Sequence, residues 1–178
     1  MQLVFRKFRA RNFADYLRLA GEARVMAMVT GRALSLDEAR CEFAEVLRGN
    51  GRHPQLGTFR VLDAGGRFLG LGKLLPGADD EGRAELGYML LPHVWGQGIG
   101  SAIAADLLAR AAAHGITEVF AIIDPANLPS RRILLRQGFA HRQYRDFDGL
   151  PGEVLDRRLD SVPWPRTHRG HSSTAPYK

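Results

Sequence analysis

Apolar and polar positions alternate along residues 3–8, with Leu3 and Phe5 on one face and Val4 and Phe8 on the other, which predicts an opening strand. From Asp15-Tyr16-Leu17-Arg18-Leu19 the period lengthens to that of a helix, and a second helical stretch is expected over 24–29. Ser35 followed three residues on by Glu38 is a capping box. Behind it Ala39, Phe43, Val46 and Leu47 fall on one helical face, and Gly49-Asn50-Gly51 is expected to stop the helix. Residues 58–62 and 67–74 read as strands joined through Asp63-Ala64-Gly65-Gly66, a hairpin signal. A second turn over 76–82 returns the chain as a strand over 83–91, so an antiparallel meander results.

A glycine-rich turn then leads into a long alanine-rich helix. On it Asp106, Arg110 and His114 form one narrow polar face, Asp106 and Arg110 make an i,i+4 pair, and Gly115 supplies the stop. Residues 117–123, rich in β-branched side chains, read as a buried strand beside that helix. Asp124-Pro125-Ala126-Asn127 leaves the strand, and Pro129 suits the first turn of a helix over 128–137, which Gly138 ends. Two strands over 139–146 and 153–159 close the pattern. The sum is an α/β fold, with a mixed, mostly antiparallel sheet of about seven strands flanked by about four helices.

Composition changes this picture little. A chain of 178 residues with 45% hydrophobic content suits one globular domain over 1–160, followed by a flexible basic tail over 161–178 where Pro, Trp, Arg, His and Ser take over. The longest apolar run begins at Ile99 and is broken by Asp106 and Arg110, so no membrane span is expected. The N-terminus has no continuous apolar region, and a cytoplasmic protein is the default expectation. Cys41 has no partner for a disulfide, the histidines are scattered, and no metal site is expected. Half of the net charge of +6 comes from Arg166, Arg169 and Lys178 in the tail. The mildly basic remainder suits an anionic cofactor better than a nucleic acid, because no aromatic-and-basic stripe accompanies it.

The candidate chemistry begins at Gly96, Gly98 and Gly100. Three glycines at alternate positions where a helix starts let a ligand approach the backbone closely. The first helical turn offers unpaired N–H groups at the positive end of the macrodipole, so a phosphate or pyrophosphate is expected on the N–H groups of Gln97, Gly98, Ile99, Gly100, Ser101 and Ala102. A dinucleotide fingerprint fits poorly. Asp124 partly supplies its acidic residue, but Ser101 stands where the third glycine is needed and about half the chain precedes the turn. No P-loop occurs.

The run Leu90-x-Pro92-x-x-Trp95-Gly96-x-Gly98-Ile99-Gly100 resembles the acetyl-CoA-binding motif of the GNAT superfamily of N-acetyltransferases, written Gln/Arg-x-x-Gly-x-Gly/Ala, with Trp95 in its first position. That departure, together with Glu85-Leu-Gly-Tyr88 upstream, looks like the branch that includes ribosomal-protein N-terminal acetyltransferases and spermidine acetyltransferases. Asn127-x-x-Ser130 and Gly138-Phe139 match a second motif one helix and one strand later, and the resemblance runs loosely from Val4 to Leu159. It implies acetyl-CoA held where two central strands diverge. Met89, Leu90 and Leu91 would pair with the pantetheine arm, and a backbone N–H near Leu90 would face the thioester oxygen. The early helices would border the acceptor pocket.

The reaction so implied needs a base for an ammonium and a donor for a leaving thiolate. Glu85 is the candidate base, against the plainer reading of a charged residue at a strand start. Many superfamily members carry a general-acid tyrosine at the position that is Leu134 here. Ser130, donating to the leaving sulfur, is the candidate replacement, against a helix-surface residue without a role. Asn127 is expected both to bind the pantetheine arm and to satisfy the helix start. Asp79, Asp80 and Glu81 could attract a cationic acceptor, or form an ordinary solvated turn. With no well-placed cysteine, direct transfer in a ternary complex is expected, to a small-molecule amine or a protein N-terminus. A homodimer is left open, and no nucleic acid or membrane partner is expected. The alternative function is a CoA-binding sensor or interaction module that has lost turnover.

Overall fold

The computed structural model describes residues 2–77, 82–147 and 149–159. Strands β1 (Val4–Lys7), β2 (Gly57–Leu62), β3 (Phe68–Pro76) and β4 (Arg83–Leu90) are antiparallel neighbours. β4 lies parallel to β5 (Glu118–Ile123), and β7 (Leu150–Arg158) stands antiparallel between β5 and the edge strand β6 (Ala140–Phe147). Helices α1 (Phe13–Ala20), α2 (Ala23–Met26) and α3 (Leu36–Arg52) precede the first hairpin, α4 (Ile99–Ala113) joins β4 to β5, and α5 (Leu128–Arg136) follows β5.

Strand alternation sorts the sheet into two faces. On one, the Arg60 guanidinium reaches Asp15 of α1 at 2.8 Å, and Phe8 packs edge-on against Phe43 of α3 with centroids 5.7 Å apart. On the other, Arg110 of α4 lies over the Phe59 ring at 5.6 Å, and Leu74, Leu86, Ile103 and Leu107 are buried in one continuous core. A three-layer α/β sandwich with an open sheet results.

Local signals explain most boundaries. The Ser35 hydroxyl accepts the Glu38 N–H at 3.3 Å, and the Glu38 carboxylate accepts the Ser35 N–H at 2.8 Å, so the capping box starts α3. Asp63 shapes the β2–β3 turn by accepting the Arg67 N–H at 2.9 Å. Several boundaries differ from expectation: α2 ends at Met26, ahead of the expected 29, and two others have a visible cause. α3 runs through Gly49-Asn50-Gly51 to Arg52, because tertiary bonds hold its end. The Asn50 carboxamide accepts the Thr58 N–H at 2.7 Å and donates to the Thr58 carbonyl at 3.0 Å and the Phe8 carbonyl at 3.3 Å. β7 starts at Leu150, three residues ahead of the expected start. Gly149 takes φ 86 and its N–H donates to the Asp146 carboxylate at 2.7 Å, which closes a tighter turn. Asp79, Asp80, Glu81 and the tail over 161–178 lie outside the described residues. Among the described residues no helix is long and apolar enough to cross a membrane, and no group of three or more His, Cys, Asp or Glu is placed to hold a metal ion.

Candidate active site

β4 and β5 pair only at Arg83–Glu118, Ala84–Val119 and Glu85–Phe120. Beyond Glu85 the two strands part, although β4 continues to Leu90 and β5 to Ile123. β4 stays bonded to β3 as far as Leu91, whose N–H donates to the Leu69 carbonyl at 2.9 Å. In an antiparallel ladder alternate residues turn both backbone groups to the same neighbour, so Met89 and Leu91 face β3 while Tyr88 and Leu90 face the gap. The Leu90 carbonyl is taken up by the Trp95 indole N–H at 2.8 Å, which folds the exposed Trp95 ring back over the strand end. That leaves the Leu90 N–H and both Tyr88 backbone groups to line the gap.

The gap leads to the start of α4. A short 3-10 turn over Pro92–Val94 brings the chain into Gly96 (φ 73) and Gly98 (φ 76), left-handed conformations that glycine adopts without strain. Gly98 is the N-cap and, having no side chain, leaves the helix start without a side-chain cap. The Ala102 N–H already bonds the Gly98 carbonyl at 3.1 Å, whereas Ile99, Gly100 and Ser101 occupy the helical positions whose N–H groups have no intrahelical acceptor. Gln97 keeps its side chain on the His93 carbonyl at 3.0 Å, clear of those groups. Gly100 is buried, and a Cβ there would come within 3.0 Å of Ile133 and 3.5 Å of the Tyr88 ring, so its absence lets α4 close onto α5 and β4. An uncapped helix start with a positive dipole end, reached from the exposed turn at Gly96–Gly98, suits a pyrophosphate.

A cavity of about 450 Å³ fills the gap. Its wall on this side comes from Tyr88 and Met89 of β4, Ala121, Ile122 and Ile123 of β5, and Asn127 and Ser130 at the start of α5. Asn127 caps α5 by accepting the Ser130 N–H at 3.2 Å. The Ser130 hydroxyl lies 3.0 Å from the Tyr88 hydroxyl. Burial pushes the Tyr88 phenol above its ordinary pKa, its hydrogen bond with Ser130 offsetting part of that, so Tyr88 stays protonated at neutral pH. The first turn of α5 is tied down by the fully buried Glu153 of β7, which accepts from the Arg131 guanidinium at 2.9 Å and pairs with His141 at 3.0 Å. Burial alone would raise the Glu153 carboxyl. The hydrogen bonds from Arg131 and His141, with their charges, outweigh it and hold the pKa below the ordinary carboxylate value.

The opposite wall is made of side chains from distant parts of the chain: Met28 and Val29 after α2, Tyr16 of α1, Glu42 of α3, and Leu150 and Pro151 of β7. The Tyr16 hydroxyl donates to the Glu42 carboxylate at 2.9 Å, and Tyr16 itself is buried in an aromatic cluster with Phe8 and Phe43, so this carboxylate is held in place. Burial, with the Glu42 charge and hydrogen bond, raises the Tyr16 phenol far above its ordinary pKa. Glu85 stands at the last paired position before the strands part, its carboxylate 2.5 Å from the Lys73 ammonium. Lys73 lines the cavity; Glu85 lies behind it. Tyr16, Glu42 and Lys73 carry no local sequence signal for a site, since each reads as part of an amphipathic helix or strand. The Tyr88 hydroxyl could have been found from the alternation that sets it on the α4 face, opposite Glu85.

Residues 2–140 match the family model of the acetyltransferase (GNAT) domain. The chain belongs to that family. Its GNAT domain is 32% identical over 89 residues to the uncharacterized N-acetyltransferase YoaA of Bacillus subtilis (strain 168), a match that spans 47% of this chain and 49% of the relative, so about half of that relative's length. The GNAT fold recurs in spermidine N-acetyltransferase of Vibrio cholerae, solved with CoA and spermine, at TM-score 0.74, 15% identity, and coverage of 88% of this chain and 95% of that one. It recurs also in a phosphinothricin acetyltransferase of Sinorhizobium meliloti, solved with acetyl-CoA, at TM-score 0.64, 22% identity and 89% coverage of each chain.

Proposed function

We propose that this GNAT domain transfers the acetyl group of acetyl-CoA to a primary amine, on a small molecule or a protein N-terminus, by direct attack in a ternary complex. The observation that carries the reading is the unpaired gap between β4 and β5, which ends at the glycine-capped start of α4. The residues there fit the cosubstrate. The N–H groups of Ile99, Gly100 and Ser101 would take the pyrophosphate, the backbone of Tyr88 and Leu90 would pair with the pantetheine arm, and the Asn127 amide would join them across the gap. Met89 and Leu91 would contribute side-chain contact only, since their backbone groups face β3. Trp95 and Glu85-Leu-Gly-Tyr88 favour the branch with ribosomal-protein N-terminal and spermidine acetyltransferases. Relatives solved with CoA or acetyl-CoA are consistent with the cosubstrate.

Acetyl-CoA supplies an activated acyl thioester; the chain supplies position, a base and a donor. An amine arriving as ammonium must lose a proton before its nitrogen can bond the acetyl carbon as the C–S bond breaks. Glu85 takes that proton, reached when the incoming ammonium displaces Lys73 from it. Glu42 holds the acceptor's cationic group at the far wall, whose Met28, Val29 and Leu150 favour an amine carried on an apolar arm. Ser130 donates to the leaving sulfur.

The test is acetyl-CoA-dependent thiol release against N-terminal peptides, polyamines and aminoglycosides. Turnover on one amine class is the expected result. Tight acetyl-CoA binding with no thiol release on any amine would favour a CoA-binding sensor or interaction module over the enzyme.

A further inference from the structure

The Ser130 hydroxyl has one proton and two places to send it, the cavity or the Tyr88 oxygen 3.0 Å away. Which way it points decides whether Ser130 can assist a leaving sulfur. The surroundings of Tyr88 resolve the choice. Its ring is lodged beside Gly100, where a Cβ would stand 3.5 Å from the ring edge, so the phenol is aimed at the first turn of α5. Among the described residues, both oxygens within its reach belong to Ser130, the hydroxyl at 3.0 Å and the carbonyl at a marginal 3.5 Å. A protonated phenol is a better hydrogen-bond donor than an alkyl hydroxyl, and burial keeps this one protonated. The Ser130 backbone is fixed as well, its N–H given to Asn127.

We infer that Tyr88 is a positioning residue for departure of the leaving group: its hydroxyl donates to Ser130 Oγ and so commits the Ser130 proton to the sulfur that leaves the thioester. The inference rests on the acetyl-transfer reading above and deepens it. In that step the amine nitrogen bonds to the acetyl carbon, the C–S bond breaks, and the sulfur departs with the electron pair. The Ser130 O–H donates to the thiolate while the Tyr88 O–H donates to Ser130, and the two aligned hydroxyls spread the developing charge. No proton need leave Tyr88, because a thiol of pKa about 8.5 is more acidic than a buried phenol. The thiolate picks up its proton from solvent on release.

A double-mutant cycle tests the coupling. Tyr88→Phe keeps the ring and removes only the hydroxyl. It is expected to lower kcat about tenfold with the KM for acetyl-CoA within about twofold, and Ser130→Ala is expected to lower kcat by at least as much. The double variant is expected to match Ser130→Ala alone, since Tyr88 acts only through Ser130. A purely structural tyrosine would give multiplied losses in the double variant, and that result overturns the inference. So does a Tyr88→Phe enzyme with wild-type kcat. Wild-type protein that binds acetyl-CoA yet releases no thiol with any amine overturns the acetyl-transfer reading and the inference with it, an outcome distinguishable from the first two, in which wild-type turnover persists.

Discussion

The two walls of the cavity are built on different principles. The wall proposed for the cosubstrate comes from three short stretches, 88–101, 121–123 and 127–130, held by strand divergence, a glycine cap and an asparagine cap. The wall proposed for the acceptor is side chains from α1, α3, the loop after α2, β3 and β7, segments brought together only by the fold. Backbone groups recognise the part of a ligand that never varies and are insensitive to most substitutions except at glycines. A side-chain wall can change its ligand one residue at a time. The account therefore expects variants on the two walls to separate cleanly, cosubstrate binding on one and acceptor KM on the other.

The largest effect should come from Gly98→Val. A β-branched residue at φ 76 is strained and its side chain would stand over the first turn of α4. Acetyl-CoA affinity by calorimetry should fall at least about a hundredfold, while circular dichroism shows the fold intact. Glu85→Gln comes next. Loss of the proposed general base is expected to lower kcat about a hundredfold, with acetyl-CoA binding unchanged. If Glu42→Gln has this effect instead, the base is on the acceptor wall and the comparison must be redrawn. Glu42→Gln is expected to raise the acceptor KM about tenfold and leave kcat near wild type, as loss of one charge-assisted contact would do.

The smallest effect on turnover, and the only one of the four chiefly on stability, belongs to Glu153→Gln. The native Glu153 pKa lies below its unfolded value of 4.5, so its ion pairs stabilise the fold above that pH, and the contribution is lost as pH falls through the native pKa. At neutral pH the variant should be about 2 kcal/mol less stable in urea unfolding, because Arg131 and His141 lose a charged acceptor. The difference from wild type should shrink as the pH is lowered below 4.5. A difference that stays constant across that range would count against the ion pairs as its source.

This asymmetry also decides what could be read in advance. The fold was legible because its signals are local. The Ser35 capping box, the Asp63 turn and the Asp106–Arg110 pair each act within four residues and each occurs in the structure. Local reading failed at Gly49-Asn50-Gly51 because Asn50 is satisfied by Phe8 and Thr58, partners that no window around it contains. The same holds for the site. Asn127, Ser130 and the glycine turn were legible as motifs, whereas the Tyr16–Glu42 bond spans α1 to α3 and the Lys73–Glu85 pair joins the neighbouring strands β3 and β4. Periodicity put Glu85 and Tyr88 on opposite faces of β4, yet could not tell that the first would meet a lysine and the second a serine.

The most direct test is a titration of the isotope-labelled protein with CoA and then with a turned-over amine, followed through the backbone amide signals. The account predicts that CoA shifts the amides of Leu90, Ile99, Gly100 and Ser101 and leaves those of Glu42 and Val29 in place, and that the amine then moves the second set. CoA-induced shifts confined to the acceptor wall, with the amides of the α4 start unmoved, would contradict it.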